Sequence, residues 1–389
     1  MVYLNTLGIN NAAGANEREI FSNILERAES RSESHELISG RQTSAMRVSA
    51  PLVALPEALR AYESRNNRLL WHALEQIRSE VSLSVERFGA HRVAVVLGTS
   101  TSGIGESERD FVRTPEGPRS ADFHYLRQEI ADPSEFARAA LGLSGLHYTI
   151  STACTSSAKA LIEAARLLRA DLCDAVVVGG VDTLSSLTLD GFDSLDSVAP
   201  ELTNPFSVNR RGINIGEGAA VFLMSRDPRG VQLAGYGESS DAYHVSSPDP
   251  EGRGAEIALR AALEGAGLEP SQVGYINLHG TGTPKNDFME AWVTHRIFGT
   301  QTPVSSTKPF TGHTLGAAGA QEAALCYMML KASAPAPLPV HLWDGVHDPE
   351  LPELNFVRRG DRLARRICMS NSFAFGGNNV SLILRGESE

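Results

Sequence analysis

Cys154 lies in Thr149-Ile-Ser-Thr-Ala-Cys-Thr-Ser-Ser-Ala158, where a strand-like stretch gives way to an apolar helical pattern, so the thiol falls at or near a helix N-terminus. Free amides and the positive end of the helix dipole favour a thiolate there. The small neighbours Ala153, Ser156 and Ser157 let a substrate reach the sulfur. A cysteine taken alone is more often a buried, inert apolar residue. Two downstream histidines alter that balance: His279 in Asn277-Leu-His-Gly-Thr-Gly-Thr-Pro284, and His313 in Lys308-Pro-Phe-Thr-Gly-His-Thr-Leu-Gly-Ala-Ala-Gly319. Both read as loop residues at strand ends, where chemistry usually sits. One thiol and two glycine-flanked histidines form a Cys-His-His set suited to nucleophilic catalysis.

The elements that must position these residues alternate strand and helix. Val93–Leu97 and Ala175–Val178 are continuous apolar runs, as expected of parallel strands buried on both faces. Between them Ala158, Leu161, Ile162, Ala165 and Leu168 recur at helical spacing. The second half repeats this grammar: strand-like Val231–Gly237, a helix over Ala255–Ala266 ending at Gly267, a strand over Val273–Leu278 delivering His279, and a helix over Ala317–Lys331. The class is α/β with right-handed crossovers, and the halves divide into 1–225, carrying the cysteine, and 226–389, carrying both histidines. Asp110 to Pro133, rich in charge and proline, reads as a surface excursion.

A chain of 389 residues with 42% hydrophobic content can bury two domain-sized cores. The formal net charge of −11 opposes nucleic acid and anionic membranes as partners, and no stretch is apolar enough to span a bilayer. No signal peptide is visible, so the expected location is cytoplasmic. The four cysteines, Cys154, Cys173, Cys326 and Cys368, are widely spaced, which excludes a disulfide framework, a Cys-x-x-Cys dithiol and a zinc site by spacing.

With these residues in view, the chain resembles the β-ketoacyl-acyl carrier protein synthases, the elongating branch with a Cys-His-His site. The resemblance spans nearly the whole chain. It rests on the Cys154 segment, Asn209-Arg-Arg-Gly-Ile-Asn-Ile-Gly-Glu-Gly218, the His279 loop, the Lys308 to His313 loop with Glu322 beyond it, and Asn371-Ser-Phe-Ala-Phe-Gly-Gly-Asn378. It implies the thiolase-like fold, two similar α/β halves in five layers, αβαβα, with the active site where they meet. Cys154 would carry the acyl chain as a thioester, and His279 and His313 would hold the enolate left when a malonyl thioester loses carbon dioxide. The backbone amides of Cys154 and Phe375 would form the oxyanion hole.

Further roles follow from the same resemblance. Lys308 and Glu322 would form a supporting pair, Thr281 and Thr283 would bond the pantetheine arm, and Phe375 would gate the acyl pocket. Asp287 and Glu290 read as structural, and Thr99, Thr101 and Ser102 as acyl-pocket lining. Ala374 and Asn378 stand where relatives commonly have glycine and threonine, and Lys285 replaces a commonly apolar residue.

The implied partners are acyl carrier protein and a second thiolase-fold chain, either a copy of this one or a related ketosynthase or chain-length subunit. No cofactor is implied beyond the phosphopantetheine that carries the substrate. Because carrier proteins are acidic, Arg60, Arg65 and Arg68 are candidates for docking, with Arg119 and Arg127 after them. The alternative of a noncondensing, pocket-shaping subunit is disfavoured by retention of the full triad. The Asn209–Gly218 stretch is closer to ketosynthases of specialised pathways, including aryl polyene clusters, than to those of primary fatty-acid synthesis.

Overall fold

The computed structural model describes the chain except residues 114–116, 118–122, 334 and 388–389. In chain order the strands are β1 (Tyr3–Asn11), β2 (Glu33–Glu36), β3 (Gln42–Ala45), β4 (Val93–Gly98), β5 (His147–Ile150), β6 (Ala175–Asp182) and β7 (Gly218–Ser225). They continue with β8 (Val231–Ser240), β9 (Tyr275–Asn277), β10 (Pro303–Ser305), β11 (Asn355–Phe356), β12 (Ile367–Phe373) and β13 (Asn378–Arg385). β2 and β3 pair with each other, and the rest form one 11-stranded mixed sheet ordered β11-β10-β9-β12-β13-β8-β1-β7-β6-β4-β5.

That sheet consists of one topology used twice. Outward from the seam, β1-β7-β6-β4-β5 and β8-β13-β12-β9-β10 each place the first strand of their set, then the fifth, fourth, second and third. In both sets the two pairs nearer the seam are antiparallel and the two farther pairs parallel. The sets touch through a short pairing of Tyr3 with Gln232 and Leu4 with Val231. A pattern shared without sequence identity is what hydrophobic periodicity alone can preserve.

Side-chain alternation along β4 explains the layers. Ala94 and Val96 join the central core, whereas Val93, Val95 and Leu97 join the core on the opposite face. The central core holds helices Ser156–Arg169 and Ala318–Lys331, packed on each other between the two strand sets. The outer face of the first set carries helices Arg65–Phe88 and Asp132–Ala140, and that of the second carries Arg253–Ala266 and Pro284–Phe298. The result is the expected αβαβα sandwich.

Arg65 and Arg68, named as docking candidates, lie in the first turn of helix Arg65–Phe88, which begins where Ser64 Oγ accepts from the Asn67 amide. Of Asp110–Pro133, the two ends are buried in helices Ile104–Arg113 and Asp132–Ala140, whereas the described residues Phe123 to Ala131 between them are half-buried or exposed, as expected of a surface excursion. Glu108 of the first of these helices accepts from the Ser186 and Leu187 amides, capping helix Ser186–Asp193.

Candidate active site

The nucleophile turn is built by close packing. A Cβ at Gly98 would fall 2.3 Å from Ser157 N and 2.5 Å from Ser156 C, so the end of β4 lies directly against the start of helix Ser156–Arg169. Ser156 Oγ donates to Ala153 O at 2.6 Å and accepts from Thr152 N at 2.9 Å, fixing the turn from within. Ala153 takes a left-handed φ of 52°, unfavourable for a residue with a side chain, and the turn thereby aims Cys154 inward.

The second half delivers both histidines to the same point. His279 follows β9, and Glu290 holds its loop by accepting from the His279 and Gly280 amides, both at 2.7 Å. Asp287 does the same one turn earlier for Phe206 N and Gly282 N. His313 Nε2 stands 3.0 Å from Cys154 Sγ, and ligand atoms of Cys154, His279 and His313 all lie within 4.8 Å of one another. The imidazole rings meet edge to face with centroids 5.3 Å apart.

Burial sets the protonation states. It pushes the Cys154 thiol up to about 12, against the Lys308 charge and the Phe375 amide, which pull it down. Desolvation of the buried sulfur thus favours the thiol, against the thiolate that the helix start, the neighbouring charge and the amide favour. Burial, then the Lys308 charge, holds both histidines well below the ordinary imidazole range, and for His279 the His313 ring adds to this. Neutral His313 can accept the Sγ proton at Nε2.

Lys308 is 1% exposed and bridges the two catalytic loops. Its Nζ donates to Glu322 Oε1 at 2.6 Å and to the His279 carbonyl, and lies 3.5 Å from His279 Nδ1. An ammonium facing Nδ1 leaves the His279 proton on Nε2, which makes that nitrogen a donor. The same ammonium opposes a metal ion among the three triad atoms, although their spacing and softness would suit one.

The triad opens into a cavity of about 260 Å³ lined by Phe192, Leu195, Ile213, Thr281, Thr283 and Phe375, among others. Thr281 and Thr283 hydroxyls are 2.8 Å apart, and Lys285 at the cavity donates to Ser247 Oγ at 2.9 Å. The Phe375 ring packs on Phe192 with centroids 5.5 Å apart, and its amide faces Cys154 Sγ. Sequence reasoning did not single out Phe192. Its signal was faint, one aromatic in Leu189-Asp-Gly-Phe192 with no pattern around it.

Other expected residues stand elsewhere. The Thr99 and Thr101 hydroxyls both donate to buried Asp182 at 2.7 Å, and Ser102 Oγ donates to Arg127 O, so these groups cross-link the fold and do not offer polar lining to an acyl chain. Arg65 pairs with fully buried Glu217, which also accepts from Val48 N. Arg68 pairs with Glu63, and exposed Arg60 lies 3.5 Å from Glu57. Arg65 is thus an internal ion-pair member and not a free docking cation. Arg119 lies outside the described residues, and Arg127 shares a cavity with Arg65 and Arg68. Among the described residues no helix is long and apolar enough to cross a membrane.

Comparison with known proteins agrees with this geometry. Residues 64–229 match the β-ketoacyl synthase N-terminal domain and residues 231–340 its C-terminal domain. The chain is 32% identical over 334 residues to 3-oxoacyl-acyl-carrier-protein synthase 2 of Synechocystis sp., covering 80% of this chain and 79% of that protein. It is 31% identical over 344 residues to the enzyme of the same name from Staphylococcus aureus, covering 82% of each. Among solved structures, the ketosynthase ApeO in complex with its chain length factor ApeC from Xenorhabdus doucetiae matches at 46% identity and a TM-score of 0.94, over 99% of this chain and 98% of that one. Two α/β halves that meet at one cysteine and two histidines, with these relatives across nearly the whole length, place the chain in the β-ketoacyl synthase family, as a condensing ketosynthase of the Cys-His-His type.

Proposed function

We propose that the chain elongates an acyl group held on Cys154 with a malonyl unit carried by acyl carrier protein. The observation that carries the residue roles is the 3.0 Å contact of His313 Nε2 with Cys154 Sγ, with His279 in the same cluster. In the first step Sγ attacks the carbonyl carbon of an acyl thioester while its proton passes to His313. The oxyanion is held by the amides of Cys154 and Phe375, and the carrier thiol leaves with a proton. Loss of one such donor typically costs about 3–4 kcal/mol of transition-state stabilisation.

In the second step the bond from the malonyl α-carbon to its carboxylate breaks. Carbon dioxide departs, and the electron pair moves onto the thioester oxygen as an enolate, held by the Nε2–H of His279 and by His313 once its ring proton has moved from Nδ1 to Nε2. The α-carbon then attacks the Cys154 thioester, and sulfur leaves as a thiolate that takes up one proton from solvent, replacing the proton that departed with the carrier thiol. Two neutral imidazoles suit this step, because they donate hydrogen bonds without a permanent cation that would stabilise the carboxylate before it is lost.

The partner reading is a heterodimer in which this chain is the active half beside a chain-length subunit, with products of the aryl polyene type. It is supported by the 46% identity to a ketosynthase solved with its chain length factor. It is supported also by β5, which ends the sheet with half-buried side chains and an open backbone edge that a second sheet can extend. Intact-mass analysis of the protein purified from its host tests both parts. The expected result is an acyl adduct on Cys154, absent from Cys154→Ala, and a 1:1 assembly with a related chain. Full turnover by Cys154→Ala sinks the nucleophile, and a pure homodimer sinks the heterodimer.

A further inference from the structure

We infer that Lys159 is a positioning residue that anchors the Phe375 loop to the helix carrying the nucleophile, through Asn378. Lys159 lies one turn into helix Ser156–Arg169, which follows Cys154 directly, and its Nζ donates to Asn378 Oδ1 at 3.0 Å across the junction of the two halves. Asn378 opens β13 and closes the loop that presents Phe375. Its backbone oxygen accepts from Ala374 N at 2.8 Å, and Gly377 N donates to Ala374 O at 3.0 Å, so the tight turn closes on Asn378. The other end of its amide covers that turn: a Cβ at Gly376 would stand 3.7 Å from Asn378 Nδ2.

The loop has another tether on its opposite side, where Gly376 N donates to Val245 O and Asp241 N donates to Gly377 O, both at 2.8 Å. Gly376 and Gly377 take φ of 82° and 77°, a region open to glycine, so the turn between the tethers has backbone freedom. The Phe375 amide must nevertheless sit at the sulfur whenever an acyl group arrives. Lys159 fixes the hinge end of the loop to the same helix that fixes Cys154, so donor and nucleophile share one rigid support. Lys159 is one of four lysines in the chain, and the Asn378 side-chain carbonyl supplies the acceptor for this bridge.

The inference rests on the nucleophile assignment above. Acylation of Cys154 by saturating acyl-pantetheine thioester, followed by intact mass, is expected to slow about tenfold in Lys159→Met, the loss of one charge-assisted hydrogen bond acting through the loop. The half-saturating concentration should stay unchanged, carbon dioxide release from a malonyl thioester should fall less, and Lys159→Arg should restore most of the rate. Asn378→Leu removes the acceptor at similar volume and gives the same readout if Lys159→Met does not fold. The double variant should be no slower than either single one, because both break the same bridge. Wild-type acylation rates in Lys159→Met, additive effects, or equal losses in acylation and decarboxylation overturn the anchor. An adduct on another residue in the wild type overturns the nucleophile assignment instead, which keeps the two failures apart.

Discussion

Lys308→Met removes a charge from a place where water cannot replace it. Lys308 and Glu322 side chains are 2% and 4% exposed, and Glu322 Oε2 already has no hydrogen-bond partner among the described residues. Deleting one member of a buried pair typically costs about 3–5 kcal/mol, a large share of the roughly 5–15 kcal/mol that holds a domain folded. Burial already raises the Glu322 carboxyl, and without the lysine it should take up a proton. The chemical loss is separate. Without the ammonium at Nδ1, His279 is free to carry its proton there, and one enolate donor disappears for part of the population, which by analogy with a lost oxyanion donor is worth up to about 100-fold in rate. Chemical denaturation, carbon dioxide release and Cys154 acylation are to be measured on Lys308→Met, Glu322→Gln and the double variant. The double variant should recover stability relative to Lys308→Met, since no orphaned charge remains, without recovering decarboxylation. If Lys308→Met loses less than about 1 kcal/mol, or decarboxylates at the wild-type rate, the reasoning about this pair is refuted.

Three further outcomes are expected. Alkylation of Cys154 by iodoacetamide should rise about tenfold per pH unit from pH 7 to 9, because a thiol pushed up to about 12 ionises only above that window; a plateau below pH 8 means the thiolate is already formed. Gly98→Ala should destabilise by about 3 kcal/mol or more, the upper end for overpacking, because its methyl meets the backbone of Ser156 and Ser157 and not a side chain that can turn aside; a neutral result in thermal unfolding contradicts the close packing. Arg65→Glu sets a second carboxylate against buried Glu217 and should unfold at markedly lower denaturant, by about 3–5 kcal/mol; unchanged stability with weaker carrier-protein binding would return Arg65 to the docking surface.

The sequence by itself carried the chemistry and the class. A thiol at a strand-to-helix change, two glycine-flanked histidines and two-faced apolar runs are local patterns, and local patterns survive in one dimension. They placed Cys154, His279 and His313 as a set, the repeated strand and helix signals yielded an α/β class, and the αβαβα layering came from the resemblance to β-ketoacyl synthases. Strands β12 and β13 left weaker traces, since buried polar residues, such as Asn371, Ser372 and Ser381, interrupt the apolar run that marks β4 and β6.

Charge pairing was decided by the tertiary structure. Arg65 reads as a surface cation until Glu217, 152 residues away, is brought against it, and Thr99 and Thr101 read as pocket lining until Asp182 collects their hydroxyls. The state of Cys154 is likewise a property of enclosure: the residues around it in sequence favour a thiolate, whereas the fold that surrounds it removes the water a thiolate needs. Lys159 and Asn378, 219 residues apart, show the same dependence, because a hydrogen bond across the junction of two halves has no signature in either half alone.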